Sequence, residues 1–598
     1  MKTGFAFSDH IKTEKIKKRR YSSGPLKLRL RGILLPIVLI FSGIILFSKL
    51  FHLQIVKGNE YKALSDSNRI RTQIIHAPRG VIFDRNGVPL VQNAPGFRVI
   101  QNEKDSKLLS REEALPLLAR GEKNLEIDTH REYPYKDAMS HVLGYIGQVS
   151  KEELETSEFL DYRGTDWIGK SGIERQYEHL LKGTDGRQLI EVDVMGKKVR
   201  PLGTTDPISG QDIFLTLDAK IQKAAYEATK KVKRGAVIVS KPDGEILALI
   251  SIPTYDPNLF TRDKTYKTAT GSAYQKTSDI ITDSIGQPLL DRAISGVYPP
   301  GSTFKLVTAA AGLNDKTIDE SYRIKDTGVI KVGEFSFANW YFTNYGKTEP
   351  GELDVVRSLS RSNDIFFYKL AEKVKVEKLA NMAEEVGLGK KTGIDLGGEV
   401  EGLVPDPDWK KKQIGESWYL GDTYHYGIGQ GYLLTTPLQV NMFTAIVANG
   451  GNLYKPHLLK SQKSEVRSQK LLNNKTIDLI RQGMIESCKP DVGVAWPLFG
   501  FKVKNEKLKI DGKNILEVKE ASGSAIPKEL REITIACKTG TAQHGGEETL
   551  PHAWITLFAP AYNPEIVITV LNEESGEGSN EAAPIAKKIL EEYFTKIK

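Results

Sequence analysis

The sequence predicts an α+β protein held by a single N-terminal membrane helix, with a mixed module ahead of a larger domain. Three observations carry this. The run "GILLPIVLIFSGIILFS" (Gly32–Ser48) has no charge and follows a basic tail. Residues 52–225 alternate short strand signals with charged helices. From about residue 212 the order becomes strands, then helices, then strands, the pattern of an antiparallel sheet that joins both ends of one domain. The boundaries read as a cytoplasmic tail over 1–31, a membrane anchor over 32–51, a pedestal-like module over 52–225 and the larger domain over 226–598.

The tail holds ten Lys/Arg against two acids, so it supplies +8 of the net charge of +9. The rest of the chain is nearly neutral, which excludes a basic groove for nucleic acid. Seventeen uncharged residues at about 1.5 Å rise just reach across a bilayer core. Positive charge on the N-terminal side keeps that end in the cytoplasm and sends the remainder across. No small-residue cleavage site follows, so the helix reads as an uncleaved anchor. Pro36 inside it is tolerated in a bilayer span.

In the module, "HAPRGVIFDRNGVPLVQN" (His76–Asn93) reads as strand, Asn86-Gly87 turn, strand. "SREEALPLLARGEK" (Ser110–Lys123) and "GIERQYEHLLKGTDG" (Gly172–Gly186) read as helices, the second ended by glycine. No catalytic constellation appears there, so a stalk or interaction module is expected. "DAKIQKAAYEATKKV" is an amphipathic helix, and "RGAVIVSKPDGEILALIS" a hairpin around Asp243-Gly244. Residues 261–287 read as a surface loop. "ITIACKTG", "AWITLFAP" and "EIVITVL" are strands, and "APIAKKILEEYF" is a closing helix. Cys488 and Cys537 could pair, but they read as two separate buried thiols without a nucleophilic role.

Candidate chemistry begins at Ser302-Thr303-Phe304-Lys305, which "YPPG" and "FKLVTAAAGL" place at a helix start. One turn of helix carries Lys305 to the face of Ser302, where a lysine of lowered pKa can take the serine proton. A serine-capped helix with a solvated lysine is the plain alternative. Ser362-Asn363-Asp364 lies within the helical pattern "RSLSRSNDIFFYKLAEKV", where it would otherwise be a polar patch on a core helix. Lys-Thr-Gly occurs three times. The copy at Lys2 lies on the cytoplasmic side, and the copy at Lys391 falls in a glycine-rich loop after a helix. The copy at Lys538, with Thr539, Gly540 and Thr541, ends the alternating run Ile533–Cys537. A strand edge there can pair with an extended peptide while Lys and Thr hold a carboxylate.

The ordered set Ser302/Lys305, Ser362/Asp364 and Lys538-Thr539-Gly540 resembles the signature of penicillin-recognising serine enzymes. "APRGVIFDRNG", "REYPYKDAMSHVLGYIG" and "GKSGIERQYEHLLKGTDG" resemble the pedestal of class B penicillin-binding proteins. "YPPGSTFK", "GDTYHYGIGQGYLLTTPLQ" and "CKTGTAQ" resemble their transpeptidase domain. "GDTYHYGIGQG" and "PLLDRA" are similar to the cell-elongation branch, the penicillin-binding protein 2 type, more than to the division branch. The resemblance spans residue 50 to the C-terminus and implies a five-stranded antiparallel sheet of the serine β-lactamase type. Asp364 stands where many relatives have Asn, and an ionised carboxylate there would hold charge on Lys305 and Lys538. The charged stretch 504–529 has no counterpart in this reading beyond a surface excursion.

By this resemblance, Ser302 attacks the D-Ala–D-Ala bond of a peptidoglycan stem, and Lys305 takes its proton. Ser362 with Lys538 protonates the leaving D-Ala. The Ser302 and Thr541 N–H groups form the oxyanion hole, and Lys538, Thr539 and Thr541 bind the carboxylate. A neighbouring amine then completes the cross-link. A D,D-carboxypeptidase side activity and covalent inhibition by β-lactams follow from the same acyl-enzyme. No cofactor or metal is implied. The expected partners are stem peptides, a SEDS-family membrane glycan polymerase and other elongation proteins, with the catalytic domain on the outer or periplasmic side. The other readings are a septal transpeptidase, a β-lactam sensor or β-lactamase-like protein, and a catalytically silent scaffold.

Overall fold

The computed structural model describes residues 27–102, 105–122, 125–193, 198–262, 266–460, 465–504, 509–510, 513–514, 530–546 and 549–597. The tail, with its Lys2-Thr3-Gly4, lies outside these residues except at its last positions. So does the 504–529 excursion, apart from Lys504 and the short pair Lys509–Ile510 with Lys513–Asn514.

The chain divides into two compact units. The smaller comprises Met1–Gln73 and Arg187–Thr205. Its helix α1 (Lys27–Phe51) runs unbroken through Pro36. The apolar stretch Leu35–Val56 has a mean hydropathy of 2.0 and exposed side chains. Among the described residues it is the one helix long and apolar enough to cross a membrane. A helix α2 (Gly58–Arg69) follows, and Ile70–Ile75, Gly186–Val192 and Lys198–Thr205 form a three-stranded sheet. Glu191 on the middle strand pairs with both Arg69 and Arg200.

The larger unit opens with β1 (Ile82–Phe83) and β2 (Pro89–Asn102), the hairpin expected around Asn86-Gly87. Gly87 takes φ +82°, and the Asp84 carboxylate accepts from the N–H of Asn86 and of Val88. Strands β3 (Asp105–Ser110) and β4 (Leu125–Glu132) flank β2, and β5 (Ile213–Phe214) adds to β1. The helix expected over Gly172–Gly186 is instead two short ones, Gly172–Gln176 and Glu178–Leu181, broken at Tyr177. The break lets the buried Tyr177 donate its hydroxyl to Asp395, 2.6 Å away. Beside it Glu174 binds Arg79 and Arg131, each at 2.7 Å, in a buried ion cluster.

The rest of this unit is built on five strands: β6 (Gly235–Ser240), β7 (Ile246–Ile252), β8 (Ala536–Ala542), β9 (His552–Ala559) and β10 (Ile566–Asn572). They lie in the order β7-β6-β10-β9-β8, every neighbour antiparallel. The strands are buried on both faces, which explains their near-continuous apolar sequence. Helix α3 (Ala219–Ala228), capped by the Asp218 side chain, joins the closing helix Ala583–Glu592 over one face. Over the other lie α4 (Lys305–Asn314), α5 (Val355–Ser360), α6 (Asp364–Val374), α7 (Leu420–Gly427), α8 (Pro437–Ala448) and α9 (Asn474–Ser487). The structure is therefore the α+β fold expected, with its sheet made from both ends of the domain.

Two expectations are corrected. Cys488 and Cys537 form a disulfide, with Cα atoms 6.0 Å apart, rather than two separate thiols. The C-terminal end of α9 packs against β8, a pairing that no local sequence signal reveals. The stretch 261–287 is not only surface loop: Tyr274 and Ile280 are buried against Tyr255.

Candidate active site

The Pro-Pro-Gly before Ser302 makes a tight turn. Gly301 has φ +53°, and a Cβ there would lie 2.9 Å from the carbonyl oxygen of Thr541. Across the gap, a Cβ on Gly540 would lie 3.0 Å from Thr303 Cγ2. The Ser302 turn and strand β8 thus press together at a distance that favours glycine. Gly301 N–H donates to Gly429 O at 2.9 Å, which fixes the turn from the loop after α7. Ser302 sits half-buried in a short 3₁₀ turn, Gly301–Thr303, that leads into α4.

Lys305, the first residue of α4, is fully buried. Its Nζ donates to Asp364 Oδ1 at 2.6 Å, to Ser362 O at 2.7 Å and to Ser362 Oγ at 3.3 Å. Lys538, fully buried on β8, donates to Ser362 Oγ at 2.8 Å and to Thr539 O at 3.0 Å. Two lysines from distant parts of the chain therefore converge on one hydroxyl. The solvated Lys305 of the plain alternative is excluded.

Ser362 is not inside a helix, as its pattern suggested. It has φ +52° and links α5 to α6. Asn363 caps α6 by accepting from Phe366 N–H at 2.9 Å, and this capping ends one helix and starts the next. Asp364 N–H then donates to Asn339 Oδ1 at 3.1 Å.

Burial pushes the Lys305 ammonium below the ordinary lysine range, against the pull of the Asp364 carboxylate. Lys538 falls well below that range, through burial first and then the positive charge of Lys305, with Asp364 opposing. Lys305 is the lysine that holds a direct carboxylate partner, Asp364.

Ser302, Ser362, Asp364, Thr539, Gly540 and Thr541 line a cleft of about 440 Å³. Thr541 Oγ1 accepts from Gly578 N–H at 3.4 Å, and Gln430 donates to Thr541 O at 3.5 Å. The copy at Lys391 stands apart from it. Glu399 accepts from the N–H groups of Thr392 and Gly393, making that copy a loop clasp. Sequence reasoning missed Trp340, whose N–H donates to Asp364 Oδ2 at 2.8 Å. No motif marks it, because a backbone donor carries no residue identity.

A family model described as the penicillin binding protein transpeptidase domain matches residues 234–591, and one described as the penicillin-binding protein dimerisation domain matches residues 123–215. The peptidoglycan D,D-transpeptidase MrdA of Acinetobacter baumannii is 32% identical over 92% of this chain and 85% of its own length. Among solved structures, the penicillin-binding protein PBP2 of Helicobacter pylori, in complex with MreC, has a TM-score of 0.71 at 29% identity. It covers 88% of this chain and 99% of that one. A chain in a peptidoglycan synthase complex that coordinates polymerization and crosslinking has a TM-score of 0.69 at 26% identity, over 95% and 99% of the two chains.

Proposed function

The chain belongs to the penicillin-binding protein transpeptidases, and from that premise we propose how its own residues run the reaction. It is a serine D,D-transpeptidase that cross-links peptidoglycan stem peptides during cell elongation. Ser302 Oγ attacks the carbonyl carbon of the D-Ala–D-Ala bond while Lys305 Nζ takes its proton. The developing oxyanion lies between the N–H groups of Ser302 and Thr541. As the C–N bond breaks, Ser362 Oγ relays a proton from Lys538 to the departing amine of D-Ala. The stem is left as an ester on Ser302. An amine of a second stem then attacks that ester, gives up its proton along the same groups, and restores the serine. Thr539, Gly540 and Thr541 on β8 hold the stem extended, with Lys538 and the threonine hydroxyls toward its carboxylate. A β-lactam opens on Ser302 in the same way, but its leaving group stays tethered.

The observation that carries this reading is the convergence of both lysine Nζ atoms on Ser362 Oγ, at 2.8 and 3.3 Å, in the cleft that holds Ser302. Mass spectrometry of the acyl-enzyme after penicillin treatment checks it. The adduct is expected on the peptide that contains Ser302 and is absent from Ser302→Ala. Equal labelling of both proteins would overturn the assignment.

The protein is a single-pass membrane protein of the elongation machinery. We assign its N-terminus to the cytoplasm and its catalytic domain to the outer, periplasmic side. The charge of the tail supports this, and so does the Cys488–Cys537 disulfide, since such bonds persist in oxidising compartments. The solved relative in a peptidoglycan synthase complex supports a SEDS-family glycan polymerase as a partner beside the membrane.

A further inference from the structure

Behind the Ser362 turn lies a polar cluster that the reaction as written does not use. Asp326 is 3% exposed and precedes the two-stranded ribbon Val329–Val332 and Phe335–Ala338. Its Oδ1 accepts from Gly328 N–H at 2.8 Å. Its Oδ2 accepts from Asn339 Nδ2, Asn363 Nδ2 and Glu349 N–H, each at 2.9 Å. Three donors on one buried oxygen call for a carboxylate, which is acceptor-only and binds donors more strongly than a neutral group does.

Each of the three donors leads back to the catalytic groups. Asn339 gives its Nδ2 to Asp326, which turns its Oδ1 toward Asp364 N–H at 3.1 Å. The next residue, Trp340, gives its N–H to Asp364 Oδ2, and Asp364 Oδ1 holds Lys305. Asn363 is tied at one end to Asp326 and at the other to the first turn of α6. Glu349 receives Arg361 Nε on its carboxylate at 2.7 Å, and Arg361 O accepts from Trp340 Nε1 at 3.1 Å. Ser362 is thus gripped at both neighbours, Arg361 and Asn363, while it occupies the left-handed region at φ +52°. A non-glycine residue keeps that conformation only where its surroundings over-determine it.

We propose that Asp326 is a positioning residue for the transpeptidase reaction: through Asn339 and Asn363 it fixes the Ser362 turn and the Asp364 carboxylate, and so places Lys305 Nζ. This rests on the site reading given above. Its consequence for acid–base chemistry follows from what surrounds Lys305. The Asp364 carboxylate faces it from α6, the Lys538 ammonium from β8, and the Phe367 ring lies 5.6 Å away. Asp364 is the group that opposes the downward push of burial on Lys305. Loosening Asp364 therefore lowers the Lys305 pKa further.

The experiment measures the second-order rate of acylation by a fluorescent penicillin, as a function of pH, on the full-length protein in detergent. Asp326→Asn puts an amide N–H where other donors already point. The expected result is a loss of about 100-fold, the scale of a misplacement near 1 Å, with the acid limb of the profile moved to lower pH. Asp326→Glu keeps a carboxylate for these donors and is expected to hold the rate within roughly tenfold of wild type. An undiminished rate in Asp326→Asn, a lost rate with an unmoved acid limb, or an Asp326→Glu no better than Asp326→Asn overturns the proposal. If Asp326→Asn does not fold, Asn339→Ser, which cuts the link from Asp326 to Asp364, decides: a slowed rate with the acid limb moved down supports the proposal, and an undiminished rate or an unmoved limb overturns it. A wild type without an adduct on Ser302 would instead overturn the reading of the site itself.

Discussion

Asp364 does two jobs that a neutral asparagine would separate. Its Oδ1 holds Lys305 at 2.6 Å, and its Oδ2 accepts from Trp340 N–H. An amide keeps the shape but not the charge. Because burial already depresses Lys305 and Asp364 alone opposes it, Asp364→Asn lowers the Lys305 pKa. The base form then persists to lower pH, so the acid limb of the acylation profile moves down. A pH series of labelling rates checks this, and an upward shift would contradict it. The candidate residues that the structure brings together were legible in the sequence because each type recurs at a fixed local spacing. The conformation that aims them was not. Ser362 fits a helical pattern in every local respect, and only Asn363 capping and the distant Asp326 break it.

At the level of elements, the strands were legible from apolar runs and the hairpins from Asn86-Gly87 and Asp243-Gly244. The break at Tyr177 and the disulfide were hidden, since both depend on partners far along the chain. The disulfide joins the residue after α9 to the one preceding Lys538, closing a loop of 49 residues. Such a cross-link stabilises by about 2–4 kcal/mol. Cys488→Ala with Cys537→Ala is expected to lower the thermal midpoint by several degrees. Reductant should lower the wild type similarly and leave the variant unmoved. Differential scanning calorimetry separates these outcomes. An equal response of both proteins to reductant would remove the bond from the account.

For the molecule as a whole, stability should depend on pH through His76. Burial pushes its imidazole down, but Asp185 and Glu126, at 3.3 and 3.1 Å, outweigh this and raise the pKa from 6.5 to about 9. A raised folded-state value means the stabilisation is complete below about pH 6.5 and lost as the pH rises to about 9. Thermal midpoints of the wild type should fall across that window, and His76→Gln should flatten the slope. The sheet order β7-β6-β10-β9-β8 bears on how such a protein is made. A ribosome delivers β6 and β7 early, and they wait with one edge of β6 unpaired until β10, the last strand, arrives to close it. Strand β8 is likewise joined to the rest of the sheet only through β9 and β10. Ser302 thus leaves the ribosome long before β8, the strand its turn presses against, has been made. The cleft of a growing chain gains its β8 wall only once the final strands are in place.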